Sequence, residues 1–483
     1  MKRKFITNLA LVIFLNLLVK PFWVFGVDRT VQNVVGAEDY GFYFSLLSFS
    51  LILNIILDAG ITNFNNRRIA RTPSLLRQYL SNIIILKLLL AFFYGIVCIA
   101  GGLIIGYDPA QCSLLIVLII NQFLASLILY LRSNISGLHL FRTDSLLSVL
   151  DRSLAILFCS LLLWGNVTDR PFRIEWFVYS QTLAYIITAI VALIIVLARS
   201  GFSGTEISRG KMKQILRYSY PFAVLILLMS FYYRIDSVML ERLLANGKEQ
   251  AGIYAQSFRI LDAATMFAFL FSGLLLPIFS RMLKKKEPVG EMVHLSYTLI
   301  FIPAILLAVM SVFFGTEILD WLYTEHITAS SRIFPLLMTG FIAISTTYIF
   351  GTLLTANGNL RELNLLATSA VILNISLNLI FIPRQQAYGA AVSSLITQIY
   401  MAVSQVIIST RKLQLPVNYP YLLLLLLYSA GIVLAGWLLK QYITNWFISV
   451  IAFCLSGVLI AFMIRLLKFR MLMILFFTRD PDA

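Results

Sequence analysis

The stretch from Leu80 to Gly106, LSNIIILKLLLAFFYGIVCIAGGLIIG, decides the fold class. It holds a single charge, Lys87. A hydrocarbon core about 30 Å thick is crossed by roughly 20 helical residues at about 1.5 Å rise each. This run is longer than that, so it reads as a transmembrane helix.

Working outward with the same rule cuts the chain into segments near 5–27, 40–62, 80–106, 112–133, 146–164 and 175–198. A second series lies near 218–241, 251–276, 292–314, 331–354, 363–382 and 388–410, and a last pair near 419–439 and 446–466. The expected fold is an all-α integral membrane protein of about 14 transmembrane helices. Composition agrees: of 483 residues 60% are hydrophobic and 12% charged, against roughly 45–50% and 25% in soluble domains. The surplus apolar surface must face lipid. The start, Met1-Lys2-Arg3-Lys4 and then an apolar run from Phe5, has the look of a signal peptide. No small-x-small cleavage site follows, and the run continues through Lys20-Pro21-Phe22-Trp23, so it reads as a retained first helix.

The net charge of +16 sits mostly between the apolar runs. With the N-terminus inside, the inner loops hold Arg67, Arg68, Arg71, Arg77, Arg142, Arg209, Lys211 and Lys213 among others, and the outer loops hold far fewer cations. That bias predicts cytoplasmic termini and removes nucleic acid as a partner. Cys98, Cys112, Cys159 and Cys454 lie in or beside apolar segments without CxxC spacing, so they read as packing residues.

An internal repeat is visible. Gly41-Phe42-Tyr43 opens helix two and Arg67 follows its end; Gly252-Ile253-Tyr254 opens helix eight and Arg281 follows its end. Outer turns precede both, Gly36-Ala37-Glu38-Asp39 and Asn246-Gly247-Lys248-Glu249. The expected organisation is an N-lobe over 1–198, a cytoplasmic linker over 199–217, a C-lobe over 218–410, and two appended helices with a tail over 411–483. Six helices per half make the repeat parallel, the build of many secondary transporters.

Ionisable residues inside apolar segments each cost about 2.5–3.5 kcal/mol at a helix centre, so they are kept for pairing or function. Lys20 stands before Pro21, ~22 Å along helix one. It faces a cavity, or reaches the outer interface beside Trp23. Arg234 takes the comparable place in helix seven, facing a cavity or pairing with another helix; Asp236, two residues on, points nearly the opposite way. Arg259 and Asp262 are three apart and can neutralise each other or meet substrate. Asp151 and Arg152 are adjacent and point differently, leaving Arg152 a substrate candidate. Lys87, about two turns into helix three, snorkels to the cytosol or binds substrate. Asp58 caps, pairs with Arg67-Arg68 as a gate, or binds a coupling cation. Asn374 and Asn378 share a face, for interhelical bonding or sugar contact.

Several short motifs, in order, resemble the polysaccharide-exporter branch of the MOP superfamily (multidrug, oligosaccharidyl-lipid and polysaccharide exporters). They are Asp39-Tyr40-Gly41-Phe42-Tyr43, Leu57-Asp58-Ala59-Gly60 and Arg67-Arg68-Ile69-Ala70, then Tyr220-Pro221, Arg234-Ile235-Asp236 and Ala251-Gly252-Ile253-Tyr254. Asn374-Ile375-Ser376-Leu377-Asn378-Leu379 with Ile382-Pro383 and Tyr388-Gly389-Ala390-Ala391 completes the set. The resemblance implies a V-shaped, two-lobed fold with a central cavity, in the bacterial inner membrane. It implies flipping of undecaprenyl-diphosphate-linked oligosaccharide, such as O-antigen or capsule repeat units. Membrane lipids, a polysaccharide polymerase and glycosyltransferases are the expected partners, and a monomer the expected state.

The substrate-binding candidates are thus Lys20, Arg234, Arg259, Arg152 and Lys87. The coupling or gating candidates are Asp58, Asp236 and Asp262, and the polar pair is Asn374 and Asn378. Unneutralised cations suit a diphosphate, since arginine binds it bidentately and lysine as a point charge. The alternatives are a multidrug exporter of the MATE kind or a lipid II flippase. An enzyme is not expected: the outer loops are short, no P-loop is present, and His139, His294 and His326 have no metal-ligand spacing. No cofactor is expected beyond a coupling proton or sodium ion.

Overall fold

The computed structural model describes residues 15–467, apart from 17, 59, 63–64, 66–68, 70–75, 139, 166, 168, 201–208 and 417. Arg67, Arg68, His139, the two chain ends and most of the linker expected over 199–217 therefore lie outside the description, or have only backbone described. Among the described residues the chain is helical. It forms α1 (Arg29–Ile52), α2 (Leu76–Ile105), α3 (Pro109–Gly137), α4 (Phe141–Trp164), α5 (Ile174–Ser200) and α6 (Arg209–Leu243). There follow α7 (Gly247–Lys284), α8 (Gly290–Leu322), α9 (Ile327–Ala356), α10 (Leu360–Leu413), α11 (Tyr419–Tyr442) and α12 (Trp446–Met463). Eleven helices among these residues are long and apolar enough to cross a membrane. Phe92 at 73% and Ile104 at 86% exposure on α2 show that much of this apolar surface faces outward, as lipid requires. The protein is an all-α, multi-pass membrane protein.

Local chemistry sets the helix ends. Asp108 Oδ1 accepts from the Gln111 backbone N–H at 2.8 Å, and Gln111 Oε1 accepts from the Asp108 N–H at 2.9 Å. This reciprocal cap, with Pro109 behind it, starts α3. Asn445 caps α12 in the same spirit, accepting from Phe447 and Ile448. The 54 residues of α10 would span ~81 Å if straight. The helix is in fact broken at Gln386 (φ 53, ψ −135), three residues after Pro383. α1 is broken likewise at Gly36 (φ 83, ψ 169), where the sequence places an outer turn.

Two departures from the expected spans matter for the site. The kink expected at Pro21 takes the form of a π-helical stretch, Phe22–Asp28. A proline without an N–H loosens the i→i−4 ladder, and wide turns of this kind collect at functional positions. The span expected to reach residue 62 is α-helical only to Ile52. It tightens into a short 3₁₀ turn over Asn54–Leu57, and Gly60 then takes φ +83. Asn and Asp side chains compete with the helical ladder, and α2 and α3 supply partners for the freed carbonyls.

By packing, the chain forms one unit from residues 1–255 with 382–386, and another from 256–381 with 387–483. In the first, Leu80, Ile83 and Leu86 of α2 bury against Tyr130, Leu131 and Ile135 of α3 and Ala192 and Val196 of α5. In the second, α11 and α12 dock on α8 through Phe314, Tyr428, Ile432, Phe453 and Ala461. Gly436 and Gly457 let Phe313 and Leu306 come close, and a Cβ there would stand 2.6 and 2.4 Å from those side chains. Lys440 pairs with Glu317 across the same contact.

Candidate functional site

The π-helical stretch presents Trp23 to α4 and α5. Its ring stacks on Phe177 at 5.5 Å and 10°, and Tyr43 meets Phe177 edge-on at 5.4 Å. The Arg152 guanidinium lies 5.2 Å from the Trp23 ring and 5.7 Å from the Tyr185 ring. Its Nε is 4.0 Å from Asp151 Oδ2, so the adjacent pair expected to diverge does meet, loosely. Arg152 nonetheless keeps 31% of its side chain exposed. Lys20 stands within electrostatic range of Arg152, Asp151 and Arg132. Arg132 is bound to Asp144 at 2.8 Å. Lys20, Arg152 and Asp151 thus lie close enough to act on one another electrostatically. Trp23, which the sequence offered as an interfacial anchor only in the alternative reading of Lys20, is part of this cluster. Tyr185 belongs to it too, and nothing in the sequence around it pointed there.

The arrangement has a clear chemical capacity. Two ring faces hold a guanidinium by cation–π attraction, worth ~0.5–2 kcal/mol each. A guanidinium and a lysine close together are the groups that bind an anion.

Lys87 has a different setting. It is 1% exposed and does not snorkel. Its ammonium donates to Asp58 Oδ1 at 2.7 Å, Ser126 Oγ at 2.8 Å and Leu57 O at 3.1 Å. A two-turn count along α2 suggested a free path to the surface; the broken end of the preceding span closes it. Asp58 therefore pairs with Lys87, and it also accepts from the Thr62 hydroxyl.

In α6, the Arg234 guanidinium lies 5.5 Å from the Tyr233 ring. Asp236 is fully buried and accepts from Tyr254 Oη at 3.0 Å. The first half has a counterpart that sequence reading missed: buried Asp28 accepts from Tyr40 Oη at 3.0 and 2.9 Å. In the register of the repeat Tyr254 matches Tyr43 rather than Tyr40, so the two pairs are alike in chemistry but offset in sequence, and the repeat alone did not point to Asp28. In the second unit, Arg259 Nη1 and Asp262 Oδ2 are 4.0 Å apart, and Asn378 Nδ2 donates to Asn374 Oδ1 at 3.1 Å.

Within the first unit, the two repeat-related glycines meet. A Cβ on Gly41 would stand 1.8 Å from Lys248 O, and one on Gly252 would stand 1.9 Å from Ala37 O. Each glycine thus touches the residue four before the other, a local twofold contact that only glycine permits. Beside it, Gln111 Nε2 donates to Glu241 Oε1 at 2.7 Å, and Arg242 donates to Gln111 Oε1 at 2.6 Å and Gly106 O at 3.1 Å. Helices α1, α3, α6 and α7 are tied together at the end that the charge pattern assigns to the outside.

Among the described residues no group of three or more His, Cys, Asp or Glu is placed to hold a metal. No curated protein matches the sequence. Among solved structures the chain is similar to a lipid II flippase, MurJ, in an inward closed conformation, with a TM-score of 0.67 at 15% identity over 95% of this chain and 100% of that one. It is also similar to an inward-facing multidrug resistance MATE family transporter of the MOP superfamily, with a TM-score of 0.62 at 15% identity over 85% of this chain and 98% of that one. A MOP superfamily transporter from Pyrococcus furiosus follows, with a TM-score of 0.56 at 14% identity over 84% and 93% of the two chains. At such identities these likenesses are of fold, and the fold is that of transporters. Residues 9–283, more than half of the sequence, match the family described as polysaccharide biosynthesis protein. The chain therefore belongs to the polysaccharide biosynthesis protein family.

Proposed function

We propose that this transporter flips a diphosphate-linked oligosaccharide on an undecaprenyl tail from the cytoplasmic to the outer leaflet by alternating access. The observation that carries the reading is the Lys20–Arg152 cluster, with the Arg152 guanidinium set against the rings of Trp23 and Tyr185. A diphosphate head carries about two negative charges and needs a polar route while its tail stays in lipid. Arg234 adds a cation from the second half. Arg259 is a weaker candidate, drawn towards Asp262, and Lys87 is weaker still, being sealed in.

Counting α10 as two helices, and the helices on either side of Gly36 as two more, brings the spans to fourteen. In this reading two six-helix halves, 1–198 and 218–410, rock about a central cleft that opens sideways to the bilayer, with both termini in the cytoplasm. Outward movement of an anion is assisted by an inside-negative potential, by ~2.3 kcal/mol per charge per 100 mV. Asp236, fully buried and bonded to Tyr254, is the first candidate for proton or sodium exchange, with Asp58 and Asp262 as the others.

Deletion of the gene, with analysis of surface polysaccharide, tests the reading. Loss of surface polymer with accumulation of the lipid-linked unit is the expected result. Unchanged glycan with altered drug sensitivity would favour a multidrug exporter instead. Lipid II has the same diphosphate chemistry; rescue of cells lacking their lipid II flippase, with no effect on surface polysaccharide, would move the assignment there.

A further inference from the structure

The break after α1 exposes backbone carbonyls inside the first unit, and one side chain answers them. Lys87 Nζ lies 2.7 Å from Asp58 Oδ1, 2.8 Å from Ser126 Oγ, 3.1 Å from Leu57 O and 3.5 Å from Ser126 O. One carboxylate oxygen, one hydroxyl and two carbonyls surround a single positive charge that is 1% exposed. Ser126 Oγ itself lies 3.2 Å from Leu57 O, which draws the oxygens together even apart from the lysine. An ion pair alone needs one acceptor. Here all three ammonium protons have oxygens to meet. Carboxylate, hydroxyl and carbonyl oxygens at an unwound transmembrane helix are the donor set that transporters of other kinds use for a monovalent cation.

We propose that the Lys87 ammonium is a tethered cation. It fills a four-oxygen site at the broken end of this span, and in its absence the site takes a small monovalent cation from solution. The chain carries its own ion here, so the broken span holds its shape at any external sodium or potassium concentration. This inference is independent of which lipid is flipped.

The test uses the full chain in detergent, with thermal unfolding followed in sodium, potassium, methylammonium or N-methyl-D-glucamine chloride at equal ionic strength. The wild type should unfold at one midpoint in all four. Lys87→Ala should unfold lower in N-methyl-D-glucamine and recover in saturable fashion with methylammonium or potassium, by ~5 °C or more. The double variant Lys87→Ala with Asp58→Asn should show no such recovery. A wild type with the same cation-specific rise overturns the proposal. So does a Lys87→Ala variant indifferent to cation identity, or a double variant that still recovers. If Lys87→Ala does not accumulate, Lys87→Met fills the stem without the charge. Adding Asp58→Asn to Lys87→Met should restore accumulation, because no carboxylate then awaits a cation; failure to restore it overturns the proposal equally.

Discussion

Two cationic sites share the first unit and differ in almost every physical respect. Around Arg152 the positive charge is half-open, held by ring faces and a loose carboxylate contact. Around Lys87 it is sealed, with every ammonium proton answered by an oxygen. Both residues sit in apolar helices, so hydropathy treats them alike. The difference lies in what the neighbouring helix does. A π-helical stretch brings Trp23 to Arg152 without enclosing it, whereas an unwound end wraps Lys87 in its own carbonyls. One cation is partly exposed, and the other is part of the scaffold.

The comparison can be broken or sharpened by substitution. The largest effect on stability is expected at the sealed site: removing Lys87 strands a carboxylate, at ~3–5 kcal/mol for a broken buried pair, read as lost accumulation and a lower unfolding midpoint. Next come Arg152→Ala, Lys20→Ala and Arg234→Ala, each removing charge-assisted bonds of about 1.5–3 kcal/mol. They should cut export ~10-fold or more while membrane levels stay normal, measured by surface polysaccharide against immunodetected protein. Gly41→Ala forces a methyl into backbone that stands 1.8 Å from its Cβ. Overpacking of this kind costs about 1–3 kcal/mol, and the tied helix ends should part. Cysteines placed at Gly106 and Gln111 should then label faster with a membrane-impermeant reagent. A smaller effect is expected from Trp23→Leu, which keeps apolar bulk but removes one cation–π face of ~0.5–2 kcal/mol, read as a several-fold loss of export. Asn378→Ala should do least, since its bond to Asn374 lies within one helix and such pairs are worth ~0.2–0.5 kcal/mol, within the scatter of an export assay.

Much of the fold was legible because the bilayer imposes one rule on every span. Length and apolarity located the helices from α2 to α12, and the glycines at 41 and 252 marked the repeat whose two openings meet. Asn374 and Asn378 read as a shared face for interhelical bonding or sugar contact; the bond they make to each other lies within one helix. The site was less legible, because it depends on departures from the regular helix. Counting residues from the helix end put Lys87 within reach of the cytosol. The count had no means of seeing that Asn54 and Asp58 unwind the preceding span and bring Leu57 O and Asp58 to meet it. Trp23 enters the sequence reading only in the alternative that takes Lys20 to the outer interface, and nothing in the local sequence announces that it stacks on Phe177 beside Arg152. Asp28 was passed over as an outer-loop residue. Its burial depends on Tyr40, twelve residues away across the Gly36 break.

The most direct test of the central claim follows the lipid-linked oligosaccharide itself in cells carrying Lys20→Ala with Arg152→Ala. The account predicts a normally inserted protein, little surface polysaccharide, and the lipid-linked unit accumulating on the cytoplasmic leaflet. Normal surface polysaccharide from that double variant would contradict it.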